Sequence, residues 1–193
     1  GGTTEPVEYA KFGEGLRGMR ATRAIDKGEV VCVMPMVCCH DSASNEKGPA
    51  SKLWLDFEPD LPVYGRLALG LLYEKGLGMD SRKAAYIATL PSIEEFREAG
   101  PVELWEPEEV ALCESLKFVA KQRRDSLATS PLLSNASLRA ECWQDLKLLG
   151  EPPSREDVLW SLACVLSRSM DDLGMFALDF FNHKLPNNAE LVL

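Results

Sequence analysis

The sequence predicts an α+β fold, with an N-terminal β-hairpin and a C-terminal β segment interrupted by a long all-helical insertion. Three observations predict it. Apolar and polar residues alternate from Gly18 to Ile25, and a nearly continuous apolar run follows from Glu29 to Val37. From about residue 63 to residue 170 the apolar positions recur instead at helical spacing. After Asp171 the pattern shortens again, to Phe176–His183. Roughly 130 mostly helical residues between the two β pieces argue for α+β and against a doubly wound sheet.

In chain order, residues 1–15 are polar and glycine-rich and read as an irregular lead-in. Residues 16–40 form the first β part. Met19, Ala21 and Ile25 alternate with Arg20 and Thr22, the period of a half-buried strand. Asp26-Lys27-Gly28 is a turn tripeptide whose glycine takes positive φ at low cost. The valine-rich run from Glu29 to Val37 then reads as a buried strand that completes the hairpin.

Residues 41–170 make the helical insertion. It opens on a loop, with Asn45-Glu46-Lys47-Gly48-Pro49 as its clearest breaker. A helix is predicted from Val63 to Lys75, stopping at Gly76, and a second from Asp80 to Thr89, ended by Leu90-Pro91. Glu106-Pro107-Glu108-Glu109 is a helix start, with proline in the first turn and acids at the positive end of the dipole; that helix runs to about Ser126. Another spans Ser137 to Leu149. Ser154-Arg155-Glu156-Asp157 opens the most apolar helix, in which Trp160, Cys164 and Leu166 predict burial on several sides. Residues 171–193 are the second β part, incomplete as a fold.

Composition excludes some functions. With 193 residues, roughly 70% of the unfolded surface can be buried, enough for a real core. The net charge of −9 and the lack of a basic stripe argue against direct nucleic-acid binding and favour basic protein partners. No apolar run approaches the ~20 residues of a membrane span, so no membrane partner is expected. The six cysteines form no C-x-x-C pair, the pattern of reduced thiols in an intracellular compartment. Cys38-Cys39-His40 predicts no metal, because adjacent ligands cannot easily share one tetrahedral ion. Hydrolysis by a nucleophile and base is not indicated, since the histidines are His40 and His183 alone. The acidic cluster Glu103, Glu106, Glu108 and Glu109 is ordinary helix-start charge.

Three pieces carry a resemblance. Leu16-Arg17-Gly18-Met19-Arg20-Ala21 through Ile25-Asp26-Lys27-Gly28-Glu29-Val30-Val31 is similar to G-x-G-hydrophobic-x-A-x-x-x-I-x-x-G-E-x-hydrophobic. The helical stretch follows, with Tyr86 before Leu90-Pro91, Trp105 leading Glu106-Pro107, and Leu159-Trp160 before Ser167-Arg168. Asp179-Phe180-Phe181-Asn182-His183, then Pro186-Asn187-Asn188-Ala189, is similar to an A-D-x-x-N-H segment and its continuation. In this order they resemble the SET-domain protein methyltransferases, closest to the branch typified by the Rubisco large-subunit lysine methyltransferases. Leu16 departs from the first glycine, and Lys184 from the serine that often follows N-H.

The resemblance implies a SET-type β-fold, S-adenosyl-L-methionine as cofactor, and methylation of a lysine on a protein substrate. It implies cofactor contacts from Arg17, Gly18, Arg168, Asp179, Asn182 and His183. On residue chemistry alone, Gly18 serves either close approach to a ligand or a tight turn. Arg168 suits a carboxylate, such as the cofactor's, or an ion pair with Asp171, Asp172 or Asp179. Asn182 and His183, set in an apolar run, need partners whether these are a cofactor or the core. Asp179 orders Arg168 or the cofactor amine, or caps an element. The family's catalytic tyrosine lies beyond the N-H segment, whereas Tyr9, Tyr64, Tyr73 and Tyr86 all precede Asn182, so the catalytic residue is unknown. An alternative is a catalytically inactive SET-like structural subunit of a larger protein assembly, with the chloroplast as a compartment known for this branch. Histidine as the acceptor, known in a sister group, also stays open.

Overall fold

A computed structural model describes residues 5–13, 17–33, 51, 63–99, 101, 104–112, 118, 121, 135–145 and 151–168. The chain divides into two compact units: Gly1–Cys39 with Phe176–Leu193, and His40–Met175. Strands and helices are both present, so the α+β class stands. The predicted C-terminal β segment lies outside the described residues, as does the 41–62 loop apart from Ser51.

In the first unit, β1 (Val7–Lys11) pairs antiparallel with β2 (Arg17–Ala21), in register Val7↔Ala21, Ala10↔Gly18 and Lys11↔Arg17. The expected lead-in at residues 1–15 is thus in part a strand. Val7-Glu8-Tyr9 alternates as a half-buried strand should. Opposite charges face each other across the ladder: Arg20 Nε donates to Glu8 Oε1 at 3.0 Å. Beyond Ala21 the pairing ends on Thr22, whose N–H donates to Pro6 O at 3.0 Å.

The predicted hairpin is therefore corrected over the described residues, where 18–25 does not pair with 29–33. β2 takes β1 as its partner, and Val30 and Val33 are 66% and 48% exposed rather than buried. A local network closes the turn, while Val33 makes a β-bridge of its own. The Asp26-Lys27-Gly28 turn forms as expected, with Gly28 at φ 86°, and Glu29 N–H donates to Asp26 O at 3.1 Å. Glu29 Oε2 accepts from Asp26 N–H at 3.0 Å and from Arg23 Nη1 at 3.1 Å. These bonds satisfy the polar groups of the turn itself. Residues 34–37 lie outside the described residues.

In the second unit, α1 (Val63–Gly76) packs along α6 (Arg155–Arg168). Both match their predicted positions, and their starts and stops are chemical. Gly76 ends α1. At the start of α6, Ser154 Oγ accepts from Asp157 N–H at 3.1 Å while Asp157 Oδ2 accepts from Ser154 N–H at 2.9 Å, a reciprocal cap. α1 is apolar almost all round, with Leu67, Ala68, Leu69, Leu71 and Leu72 at 5% exposure or less. α6 answers with Val158 and the unbroken buried run Trp160–Val165. Such a pair buries more apolar surface than one amphipathic stripe would. Ser161 is accommodated there because its hydroxyl donates to Val158 O at 2.8 Å.

The helix predicted over Asp80–Thr89 is much shorter. A 3₁₀ turn (Gly78–Asp80) precedes α2 (Ala84–Ile87), and Ser81 replaces Asp80 as the local acceptor. Its Oγ accepts from Lys83 N–H at 3.0 Å and donates to Glu74 Oε2 at 2.6 Å. Buried at 6% exposure, Ser81 can shield those bonds in a way that the exposed Asp80 cannot. The sequence reading missed α3 (Ile93–Ala99), although its start is written as S-x-x-E: Ser92 N–H donates to Glu95 Oε2 at 2.7 Å, and Glu95 N–H to Ser92 Oγ at 3.2 Å. α4 (Pro107–Ala111) begins as predicted, on the capping box of Glu106 and Glu109. Its extension to Ser126 lies mostly outside the described residues. α5 (Ala136–Asp145) is the helix expected from Ser137.

Candidate functional site

The candidate residues are built by different elements. Arg17 and Gly18 open β2. Gly18 is buried opposite Ala10, and only Gly28 and Gly78 are found at positive φ among the described glycines. Gly18 is thus a strand residue, and its φ is not a positive one.

Arg168 is the last residue of α6, where a cation meets the negative end of the helix dipole. Its Nη1 donates to Ser167 Oγ at 2.7 Å, and that hydroxyl donates to Ala163 O at 2.7 Å. Its guanidinium carbon lies 5.6 Å from the centroid of the Phe96 ring, within cation–π range. Phe96 comes from the helix that the sequence reading missed. Arg168 itself is half-buried. A planar, partly desolvated cation with in-plane N–H donors is chemically matched to a carboxylate. Asp171, Asp172, Asp179, Asn182 and His183 lie outside the described residues.

The helical unit also holds a cavity of about 560 Å³, lined by Leu72, Lys75, Met79, Trp143, Glu151 and Asp157 among others. It belongs to the other end of α6. Asp157 and Arg168 are eleven positions apart, roughly 16 Å along the helix axis. Its lysine is already engaged: Lys75 Nζ contacts Asp157 Oδ1 at 2.8 Å and lies 4.3 Å from the centroid of the Trp160 ring. The Trp160 indole N–H donates to Pro91 O at 2.8 Å. Burial pushes the Asp157 carboxyl up, yet hydrogen bonds from Lys75 and Ser154 outweigh it and hold the group below its ordinary value. These contacts read as architecture rather than proton-transfer chemistry.

Burial pushes the Cys32 thiol up, and Cys164 is fully buried. Neither has the electropositive setting of a reactive cysteine. Among the described residues no three His, Cys, Asp or Glu side chains gather as metal ligands, and no helix is long and apolar enough to cross a membrane.

No protein-family profile matches the chain, and no curated protein matches it in sequence. Solved structures do match. A crystal structure of the SET domain of LSMT bound to MeLysine and AdoHcy superposes with a TM-score of 0.74 at 17% identity, covering 98% of this chain and 43% of that one. A second, of the SET domain of LSMT bound to Lysine and AdoHcy, gives a TM-score of 0.64 at 19% identity, covering 96% and 41%. The chain has the SET-domain fold, and it spans about two fifths of the length of the solved chains it matches.

Proposed function

We propose that this chain is the SET portion of an S-adenosylmethionine-dependent protein-lysine N-methyltransferase. What carries this is the SET-domain fold over nearly the whole chain, in solved structures that hold AdoHcy with lysine or methyllysine. The ordered motifs at Arg17-Gly18, Ser167-Arg168 and Asp179 to His183 support the same conclusion.

S-adenosylmethionine, when bound, supplies an electrophilic methyl group on its sulfonium. The residues around it have positioning roles, which in such a displacement account for several kcal/mol, with ~7–11 as the upper range. Arg168 binds the carboxylate of the methionine part through its planar fork. Gly18, beside Arg17, admits the ligand against strand backbone without a side chain in the way. The family resemblance assigns Asn182 and His183 to the adenine and methionine portions and Asp179 to the cofactor amine. The acceptor lysine has a reference pKa of about 10.4 and reacts only as the neutral amine, so its channel must desolvate it. The net charge of −9 suits approach by a basic protein segment. The protein acts inside the cell, with the chloroplast as its proposed compartment.

The test has two stages. Calorimetry should detect AdoHcy binding, and tritiated S-adenosylmethionine should label a lysine on a protein substrate when the full-length protein is used. Loss of both signals would end the proposal. Binding without transfer to any protein would transfer it to a catalytically inactive SET-like subunit of a larger complex.

A further inference from the structure

We propose that Phe96 is a positioning residue for the cofactor carboxylate, acting through Arg168. This rests on the assignment of Arg168 to that carboxylate. Arg168 ends α6, and a long side chain at a helix terminus has many rotamers to lose before it can hold a ligand. Its contacts in the ligand-free chain include the Ser167 hydroxyl at 2.7 Å and the Phe96 ring at 5.6 Å, and both restrict it.

The ring is the fixed partner. Phe96 is 5% exposed and belongs to the core cluster that contains Trp160 and Val165. Its helix is secured at both ends of the contact. The reciprocal Ser92–Glu95 bonds close the start of α3, and Arg97 Nη2 meets Glu156 Oε1 at 2.6 Å, tying α3 to the first turn of α6. A guanidinium attracted to a ring face uses no N–H for that contact. The ring therefore restrains the guanidinium by a contact that itself takes up no N–H donor, which is preorganisation.

The test measures AdoHcy binding by calorimetry for the wild-type chain, Phe96→Leu and Phe96→Tyr. 5′-Methylthioadenosine, which keeps adenosine and sulfur but has no carboxylate, is measured in parallel. Phe96→Leu should weaken AdoHcy roughly two- to fivefold, Phe96→Tyr should restore it, and the carboxylate-free ligand should bind all three alike. In the ligand-free protein, the Arg168 Nε–H resonance should carry a ring-current shift in the wild type and Phe96→Tyr and lose it in Phe96→Leu. If Phe96→Leu fails to fold, Phe96→Met, which fills similar space without a π face, takes its place. Wild-type AdoHcy affinity in a folded Phe96→Leu overturns the inference alone, and so does equal weakening of both ligands. No AdoHcy binding by the wild type overturns the cofactor assignment with it.

Discussion

Replacing Asp157 with asparagine probes the junction that fixes the start of α6. The carboxylate serves two partners at once: Oδ1 takes Lys75 Nζ at 2.8 Å, while Oδ2 takes the Ser154 N–H at 2.9 Å and its hydroxyl at 2.7 Å. Asparagine keeps the shape and one acceptor oxygen but loses the charge. A partly exposed ion pair is worth about 0.2–1 kcal/mol. The charge in the first helical turn adds about 0.3–1 kcal/mol. Because the Asp157 side chain is 36% exposed and that of Lys75 43%, solvent screening favours the lower halves of both ranges. The expected loss is about 1 kcal/mol in urea unfolding at pH 7, followed by far-UV circular dichroism.

The pH dependence distinguishes charge from shape. Asp157 titrates lower in the folded chain than in the unfolded one. Its contribution is thus fully present above the unfolded carboxyl value of about 3.9 and disappears as pH falls through the folded value. The gap between wild type and Asp157→Asn should close on acidification below that point. A double-mutant cycle with Lys75→Met should return a coupling within the ion-pair range. A gap that stays constant from pH 7 to strong acid, or a coupling of zero, would refute this account of the junction.

Two further outcomes are expected. Leu71→Ala, at 1% exposure on the α1–α6 seam, should cost about 3 kcal/mol by the same unfolding assay, and a loss under about 1 kcal/mol would contradict the packing described. At Gly28, φ is +86° and a Cβ would meet nothing within 4 Å, so Gly28→Ala should cost about 1 kcal/mol through backbone strain alone and Gly28→Asn less; equal stability of all three forms would exclude that strain.

Local chemistry was legible where it needs only neighbours in sequence. The Asp26-Lys27-Gly28 turn, the stop of α1 at Gly76, the Glu106 and Ser154 helix starts and the apolar character of α6 all follow from residues within a few positions. α3 is written just as locally in Ser92 and Glu95, but a seven-residue helix has too few turns for its period to stand out. Of the candidate site, Arg168 was placed at the end of a buried helix as expected. The Phe96 ring beside it was not foreseeable, since 72 positions of chain separate the two residues.

By itself, then, the sequence determined the α+β class, the bounds of α1, the starts of α4, α5 and α6, and the ordered motifs that resemble a SET domain. Those depend on short-range periodicity, capping and glycine chemistry. Only the tertiary structure decided that β2 takes β1 as a partner, because many apolar segments have strand character and the choice among partners is a competition between distant pieces. It also decided that Phe96, Ser167 and Arg168 meet, since contacts between helices are set by packing, to which no local pattern in the chain refers.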